Sequence, residues 1–303
     1  MKPRFSDGGH KRNASNGKPD TLNSLLYLPT FASHPCSTPH MKNAEEDSSK
    51  YTRWAQQQLL DYENQCPGSL FAQGLSLTVE EGYRLQRAVT NLRVDRGDRT
   101  VGYKVGCTSP TIRAQLGIEH CVTGRLYESE HHVSGAKLKR GNYSNLAIEG
   151  ELAVILSHTP EPADFTRPGI PTCVSSIMPV IELHNHVMHS TPASAGELIA
   201  NNAIHAGFVT GGVTERTDYI ENPKLQILID GNVVANCEGS QLIETIQSSL
   251  QWLQATLEAT DEKLQEGQII LTGSIPSLIP IDQRCSVKIK APPLGETNAT
   301  FLD

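Results

Sequence analysis

Apolar residues recur at helical spacing in two long stretches and at strand spacing in many short ones. Over residues 241–259, Leu242, Ile246, Leu250, Leu253 and Leu257 fall on one side of a helix. Over 79–93, Leu85, Ala88, Val89 and Leu92 do the same; Thr78 with Glu81 predicts a capping box, and Gly97 a stop. Residues 51–64 read as a further helix and Thr111–Leu116 as one or two helical turns. From residue 100 onward short strands dominate: Val101–Val105, Leu146–Leu156, Met178–Leu183, His205–Thr210, Leu225–Ile229, Val233–Asn236, Gln268–Thr272, Ser286–Lys290 and Thr297–Leu302. Asp230-Gly231-Asn232 signals a hairpin turn. With no internal repeat and no regular βαβ alternation, the pattern predicts an α+β fold, strand-rich in its C-terminal two-thirds.

Residues 1–50 stand apart. They are polar, with one apolar island at Leu25–Leu28, and too few apolar groups to offset the entropy of ordering; a flexible extension is expected. The stretch has no continuous apolar segment of the signal-peptide kind, and Asp7 and Asp20 weigh against a basic organellar presequence. The remainder of the 303 residues is long enough to bury a core without disulfides. A net charge of −7 argues against nucleic acid as a partner, and no apolar run is long enough to cross a membrane. The seven cysteines are odd in number and contain no C-x-x-C, so reduced thiols and a cytoplasmic location are expected; the sequons at Asn13, Asn142 and Asn298 are then chance matches.

Two acids interrupt the apolar strand Leu146–Leu156. Glu149 and Glu151 share a face with Ala147 and Ala153, while Ile148, Leu152 and Val154 take the other. Like charges inside an apolar strand repel each other and lose hydration, and a hard divalent cation relieves both penalties. Glu182, in Met178–Leu183, offers a third carboxylate. The same spacing also suits a solvent-facing strand edge. Lys104 sits mid-strand between Gly102 and Gly106. Beside the acids it would anchor a substrate carboxylate or move a proton; as a surface residue it would lay its stem along the sheet. His184, His186 and His189 follow Glu182, and H-x-H on a strand face suits Fe or Zn, whereas a His-rich loop after the strand is the simpler reading. Leu271-Thr272-Gly273-Ser274 ends a strand in a turn able to hold a carboxylate. There is no G-x-S-x-G for a serine hydrolase and no phosphate loop.

In order along the chain come Gly102-Tyr103-Lys104-Val105-Gly106-Cys107-Thr108-Ser109, Gln115-Leu116-Gly117, Glu149-Gly150-Glu151-Leu152-Ala153, Pro179-Val180-Ile181-Glu182, Asn202-Ala203, Asp230-Gly231-Asn232 and the run from Gln268 to Ser274. Together they resemble the 2-keto-4-pentenoate hydratase / 4-oxalocrotonate decarboxylase group of the fumarylacetoacetate hydrolase superfamily, from about residue 78 to the C-terminus. The resemblance implies a mixed β-roll around a central cavity over 101–303, a helical part over 51–100, and one catalytic domain spanning 51–303. It implies that Glu149, Glu151 and Glu182 ligate Mg²⁺ or Mn²⁺, that Lys104 is catalytic, and that Thr272, Ser274 and Asn202 contact substrate. It further implies a small 2-oxo or 2-hydroxydienoic acid from aromatic-ring breakdown as substrate, a homo-oligomer, and a decarboxylase as possible partner.

The chain departs from the family pattern at several places. Relatives commonly carry an aspartate two residues before the glycine aligned with Gly124, and here that position is Val122. The usual Asp-Asn pair is Asn201-Asn202, a small hydroxyl residue after it is replaced by Ile204, and a Gly-Asp turn near the end reads Arg284-Cys285. Hydration of a 2-hydroxypenta-2,4-dienoate-like acid is the leading expectation. Decarboxylation of a 2-oxo acid, hydrolysis of an acylpyruvate with Glu119 and His120 as the nearest dyad, and a non-catalytic partner protein are the alternatives.

Overall fold

The computed structural model describes residues 39–217 and 219–303, with side chains from residue 49 onward. The extension expected over 1–50 therefore lies outside the described residues up to residue 38; from Pro39 the chain is already helical. Helix α1 (Pro39–Glu63) is followed by α2 (Ser69–Ala72) and α3 (Val79–Asp95). The capping box at the start of α3 forms as its sequence predicts: Glu81 N–H donates to Thr78 Oγ1 at 3.2 Å and Thr78 N–H donates to Glu81 Oε2 at 2.9 Å. Leu85 and Val89 of α3 pack with Tyr51, Ala55, Phe71 and Leu77 into a small apolar cluster.

Next come β1 (Thr100–Gly106), α4 (Pro110–Leu116), β2 (Val122–Tyr127), β3 (His131–Val133), β4 (Ala136–Lys139), β5 (Leu146–Leu156), β6 (Val174–Asn185), α5 (Ala195–Ala200), β7 (His205–Thr210) and β8 (Thr214–Glu215). The chain finishes with β9 (Lys224–Ile229), β10 (Asn232–Glu238), α6 (Gln241–Glu258), β11 (Ile269–Leu271), β12 (Ile279–Pro280), β13 (Cys285–Lys290) and β14 (Glu296–Leu302). The larger sheet runs β2-β1-β11-β5-β6-β7-β3, with β12 pairing β5 and β8 pairing β6, and curls into a half-barrel. The smaller runs β10-β9-β13-β14-β4. Both the mixed sheets and the helical N-terminal part match the α+β roll expected from the sequence.

Strand parity sets the core. Ile148, Leu152 and Val154 of β5 and Ile177, Ile181 and Leu183 of β6 face Ile227, Val287 and Ile289 of the smaller sheet. The apolar stripe of α6, from Leu242 to Leu257, packs into the same cluster. Asp230 and Gly231 turn the β9–β10 hairpin with φ of 49° and 83°, the doubly left-handed turn that the Asp-Gly pair favours.

Several elements go beyond the sequence reading. Strand β2 carries Gly124 and Arg125 among its apolar residues, and α5 is only six residues long, so neither has a clear period. Strand β6 runs past Leu183 to Asn185, because His184 pairs with Ala147 and Asn185 with Leu146 of β5. That extension carries a ring into the site.

Candidate active site

Neighbouring strands of the larger sheet bring the ionisable residues together. Glu149 on β5 stands directly opposite Glu182 on β6, and Glu151 follows on the same face. His184 lies two residues beyond Glu182 with the same parity, and His205 at the start of β7 is its cross-strand partner. Lys104 on β1 reaches the group from the far side of β11. Its Nζ lies 3.2 Å from Glu182 Oε1, and the two side chains are 5% and 0% exposed. Space for the lysine stem comes from two glycines: a Cβ on Gly124 would sit 3.2 Å from Lys104 Cγ and one on Gly106 3.2 Å from Nζ.

The carboxylate of Glu182 has two distinct sides. Oε1 takes the lysine ammonium and, at 2.7 Å, a hydrogen bond from His205 Nδ1. Oε2 is buried and has no hydrogen-bond partner among the described residues. Facing it is His184, whose Nε2 is 3.7 Å from that oxygen and 3.3 Å from Glu149 Oε2. Neither contact is a hydrogen bond, and both ring nitrogens of His184 are unpartnered. Glu151 Oε2 accepts the Gly273 N–H at 2.8 Å, while its Oε1 is buried and unpartnered.

The charges respond to one another. Burial would raise the Glu182 pKa, but the Lys104 ammonium above all, then His184 and His205, hold it well below the usual carboxylate range. Glu151 is pushed well above that range, first by burial and then by Glu182 and Glu149. Burial would lower the Lys104 pKa, yet the carboxylates of Glu182, Glu149 and Glu151 raise it. An excess of anionic donors thus surrounds one ammonium. Glu149, Glu182 and His184 each place a donor atom within 4.8 Å of the others; Glu151, expected with them, is outside this group and keeps one orphaned oxygen, as Glu182 does. This donor set fits a divalent cation.

The three residues expected to contact substrate are each engaged within the protein. The Thr272 hydroxyl donates to Leu152 O at 2.8 Å and that of Ser274 to Pro276 O at 2.7 Å. Asn202 spends its whole amide on β2, accepting from Arg125 N–H at 2.7 Å and donating to Arg125 O at 2.9 Å. These three groups hold the framework of the site. Val122 is buried beside the lysine, its Cγ2 3.3 Å from where a Gly106 Cβ would sit. Asn201 Oδ1 accepts from Gln58 Nε2 at 2.9 Å, and Ile204 packs with Val122 and Leu198. Glu119 and His120 are exposed after α4, and His186 is exposed beyond β6. His184 shares parity with Glu182, which the sequence offers as one alternative for it; His205 has no sequence signal and emerges only from the β6–β7 register.

Comparison with known proteins fits this geometry. Residues 127–301 match the family described as fumarylacetoacetate (FAA) hydrolase C-terminal. The chain belongs to the fumarylacetoacetate hydrolase family. Within it, the chain is 23% identical over 223 residues to a 2-keto-4-pentenoate hydratase of Burkholderia vietnamiensis, covering 73% of this chain and 85% of that protein. It is 25% identical over 220 residues to a 4-oxalocrotonate decarboxylase of a Pseudomonas species, covering 73% and 86%. The solved 4-oxalocrotonate decarboxylase from Pseudomonas putida G7, complexed with magnesium and adipate, superposes with a TM-score of 0.75 at 20% identity, over 84% of this chain and 98% of that one. The relatives include hydratases and decarboxylases alike, and the shared fold is that of the fumarylacetoacetate hydrolase family.

Proposed function

We propose that the chain is a metal-dependent lyase acting on a linear 2-oxo or 2-hydroxydienoic acid, adding water to a 2-hydroxypenta-2,4-dienoate-like substrate in aromatic catabolism. The observation that carries this reading is the buried Lys104 ammonium, 3.2 Å from a carboxylate whose other oxygen faces unpartnered donors. Residues 51–303 form the catalytic domain in this account. Glu149, Glu151 and Glu182 hold Mg²⁺ or Mn²⁺, which when bound supplies positive charge beside the substrate carboxylate and 2-oxo group. Lys104 is the catalytic residue: the surrounding carboxylates keep it protonated, so Nζ can anchor the substrate carboxylate and stabilise negative charge that develops beside it. Thr272 and Ser274 fix the turn that aims the Gly273 N–H at Glu151, and Asn202 fixes β2 next to the lysine, so all three shape the substrate site through the backbone.

A second reading, decarboxylation of a 4-oxalocrotonate-type acid, is favoured by one feature. Val122 puts an apolar side chain beside Lys104, which leaves the lysine without a carboxylic acid from β2 as a proton-transfer partner. Loss of CO₂ asks for one protonation, whereas hydration asks for coordinated proton transfers at two centres.

One purified sample, offered both substrate types, separates the two: diene consumption followed by absorbance against CO₂ release. Glu151→Gln is expected to remove bound metal and at least about 10²-fold of the activity together. Unchanged metal content by elemental analysis would count against the lyase reading, and activity gained by Val122→Asp would favour hydration. The same reading places the protein in the cytoplasm as a homo-oligomer with a possible decarboxylase partner. The six described cysteines are all unbonded, which suits a reducing compartment, and native mass measurement tests the assembly.

A further inference from the structure

We propose that His184 is itself a ligand of this centre, so that the ion sits in a mixed nitrogen–oxygen shell and the chain prefers a first-row transition ion such as Mn²⁺ or Co²⁺ over Mg²⁺. The inference rests on the metal-centre reading above and adds to it a residue and a selectivity.

The case starts from a ring with nothing else to do. His184 is 1% exposed, and among the described residues neither of its nitrogens has a hydrogen-bond partner. Buried imidazoles ordinarily satisfy at least one nitrogen. Its Nε2 lies 3.3 Å from Glu149 Oε2 and 3.7 Å from Glu182 Oε2, without hydrogen-bond geometry to either. Donors about 2.1 Å from one ion and at right angles to each other lie about 3 Å apart, so these separations are close to the edges of a coordination polyhedron. The opposite residue on β5 is Ala147, fully buried and small, which leaves the ring free to lean toward the acids.

His205 provides the contrast. Its Nδ1 makes a true hydrogen bond, 2.7 Å, to Glu182 Oε1, the oxygen that also takes Lys104. Its ring additionally lines a cavity of about 130 Å³ with Tyr62, Tyr127 and Tyr143. His205 and Lys104 thus occupy one oxygen of Glu182 and orient the other toward His184. His205 is a positioning residue and His184 a ligand. Imidazole nitrogen is a good donor to Mn²⁺, Co²⁺ and Zn²⁺, whereas Mg²⁺ keeps to oxygen and water.

Pulsed electron paramagnetic resonance of the full chain loaded with Mn²⁺ tests this directly. The expected spectrum shows nitrogen hyperfine modulation from one coordinated imidazole, abolished in His184→Ala and retained in His205→Ala. Equilibrium dialysis should give a Mn²⁺ over Mg²⁺ preference that falls at least about tenfold in His184→Ala. One Mn²⁺ bound without nitrogen modulation in the wild-type chain would overturn the inference and leave the carboxylate centre standing. Failure to retain Mn²⁺ or Mg²⁺ at all would overturn both. Modulation kept in His184→Ala and lost in His205→Ala would overturn it as well, and a wild-type spectrum without nitrogen does so even where a variant does not fold.

Discussion

Strand β5 offers two different chemistries to its two sides. On one side Ile148, Leu152 and Val154 pack against the smaller sheet and α6, where close contact between apolar groups supplies the stability. On the other, Glu149 and Glu151 join Glu182, His184, His205 and Lys104 in a cluster that is nearly as buried. The backbone is shared and successive residues alternate between the two. The contrast lies in what each residue depends on. An apolar side chain can lose a neighbour and still be at home in the core. Each charged group in the cluster is tolerable only because of the others, so the cluster is held by mutual compensation and by whatever cation it binds.

The largest effect should come from removing one member of that balance. Lys104→Met keeps most of the side-chain volume but deprives Glu182 of its ammonium, and breaking a buried ion pair in this way costs about 3–5 kcal/mol. Urea unfolding of chelator-treated protein measures the loss. In the double variant Lys104→Met/Glu182→Gln the two changes should fall short of additivity by about 2–3 kcal/mol. Strict additivity would show that the cluster is not compensating at all.

On the apolar side, Leu152→Ala should cost about 3 kcal/mol by leaving a cavity against the core. Leu152 adjoins Glu151 in sequence but points away from it, so Mn²⁺ affinity should remain within about threefold of wild type once the protein is folded. A larger fall in affinity would mean that the two faces are mechanically coupled. Calorimetric unfolding and metal titration on the same sample give both numbers.

The apolar side was the more legible of the two. The sequence predicts Leu146–Leu156 and His205–Thr210 with the observed bounds because unbroken apolar runs and strand alternation are local signals. The stripe on α6 and the capping box of α3 are local as well. The acids of β5 are also visible in the sequence, since Glu149 and Glu151 break an apolar pattern where charge is expensive. For His184 the sequence leaves open a metal-binding strand face with Glu182 or a His-rich loop, the simpler of the two; its place in the strand is secured by pairing with Ala147, a residue far away in sequence. His205 has no local signal, and its contact with Glu182 follows from the register of β7. The hydroxyls of Thr272 and Ser274 donate to backbone carbonyls of residues 152 and 276, contacts that composition cannot reveal. Residues whose meaning depends on their own strand were readable; those whose meaning depends on a neighbouring strand were not.

The smallest effect concerns a charge pair at the edge of the same sheet. Tyr103 precedes Lys104 and points to the opposite face of β1, where Arg125 of β2 donates to Glu262 at 2.7 Å. Burial would raise the Glu262 pKa, but the hydrogen bond and charge of Arg125, helped by Arg87 and Tyr103, lower it. A carboxyl with a lowered folded-state pKa contributes stability that is fully present above its unfolded pKa of about 4.3 and is lost as pH falls through the folded value. Glu262→Gln should therefore destabilise by no more than about 1 kcal/mol at pH 7, because the side chain is 26% exposed and solvent screens the pair. The difference from wild type should shrink as pH drops below about 4. A cost at neutral pH as large as that of Lys104→Met would show that partial solvation does not separate this pair from the buried one. A pH-independent cost would show that the glutamate acts by shape and not by charge.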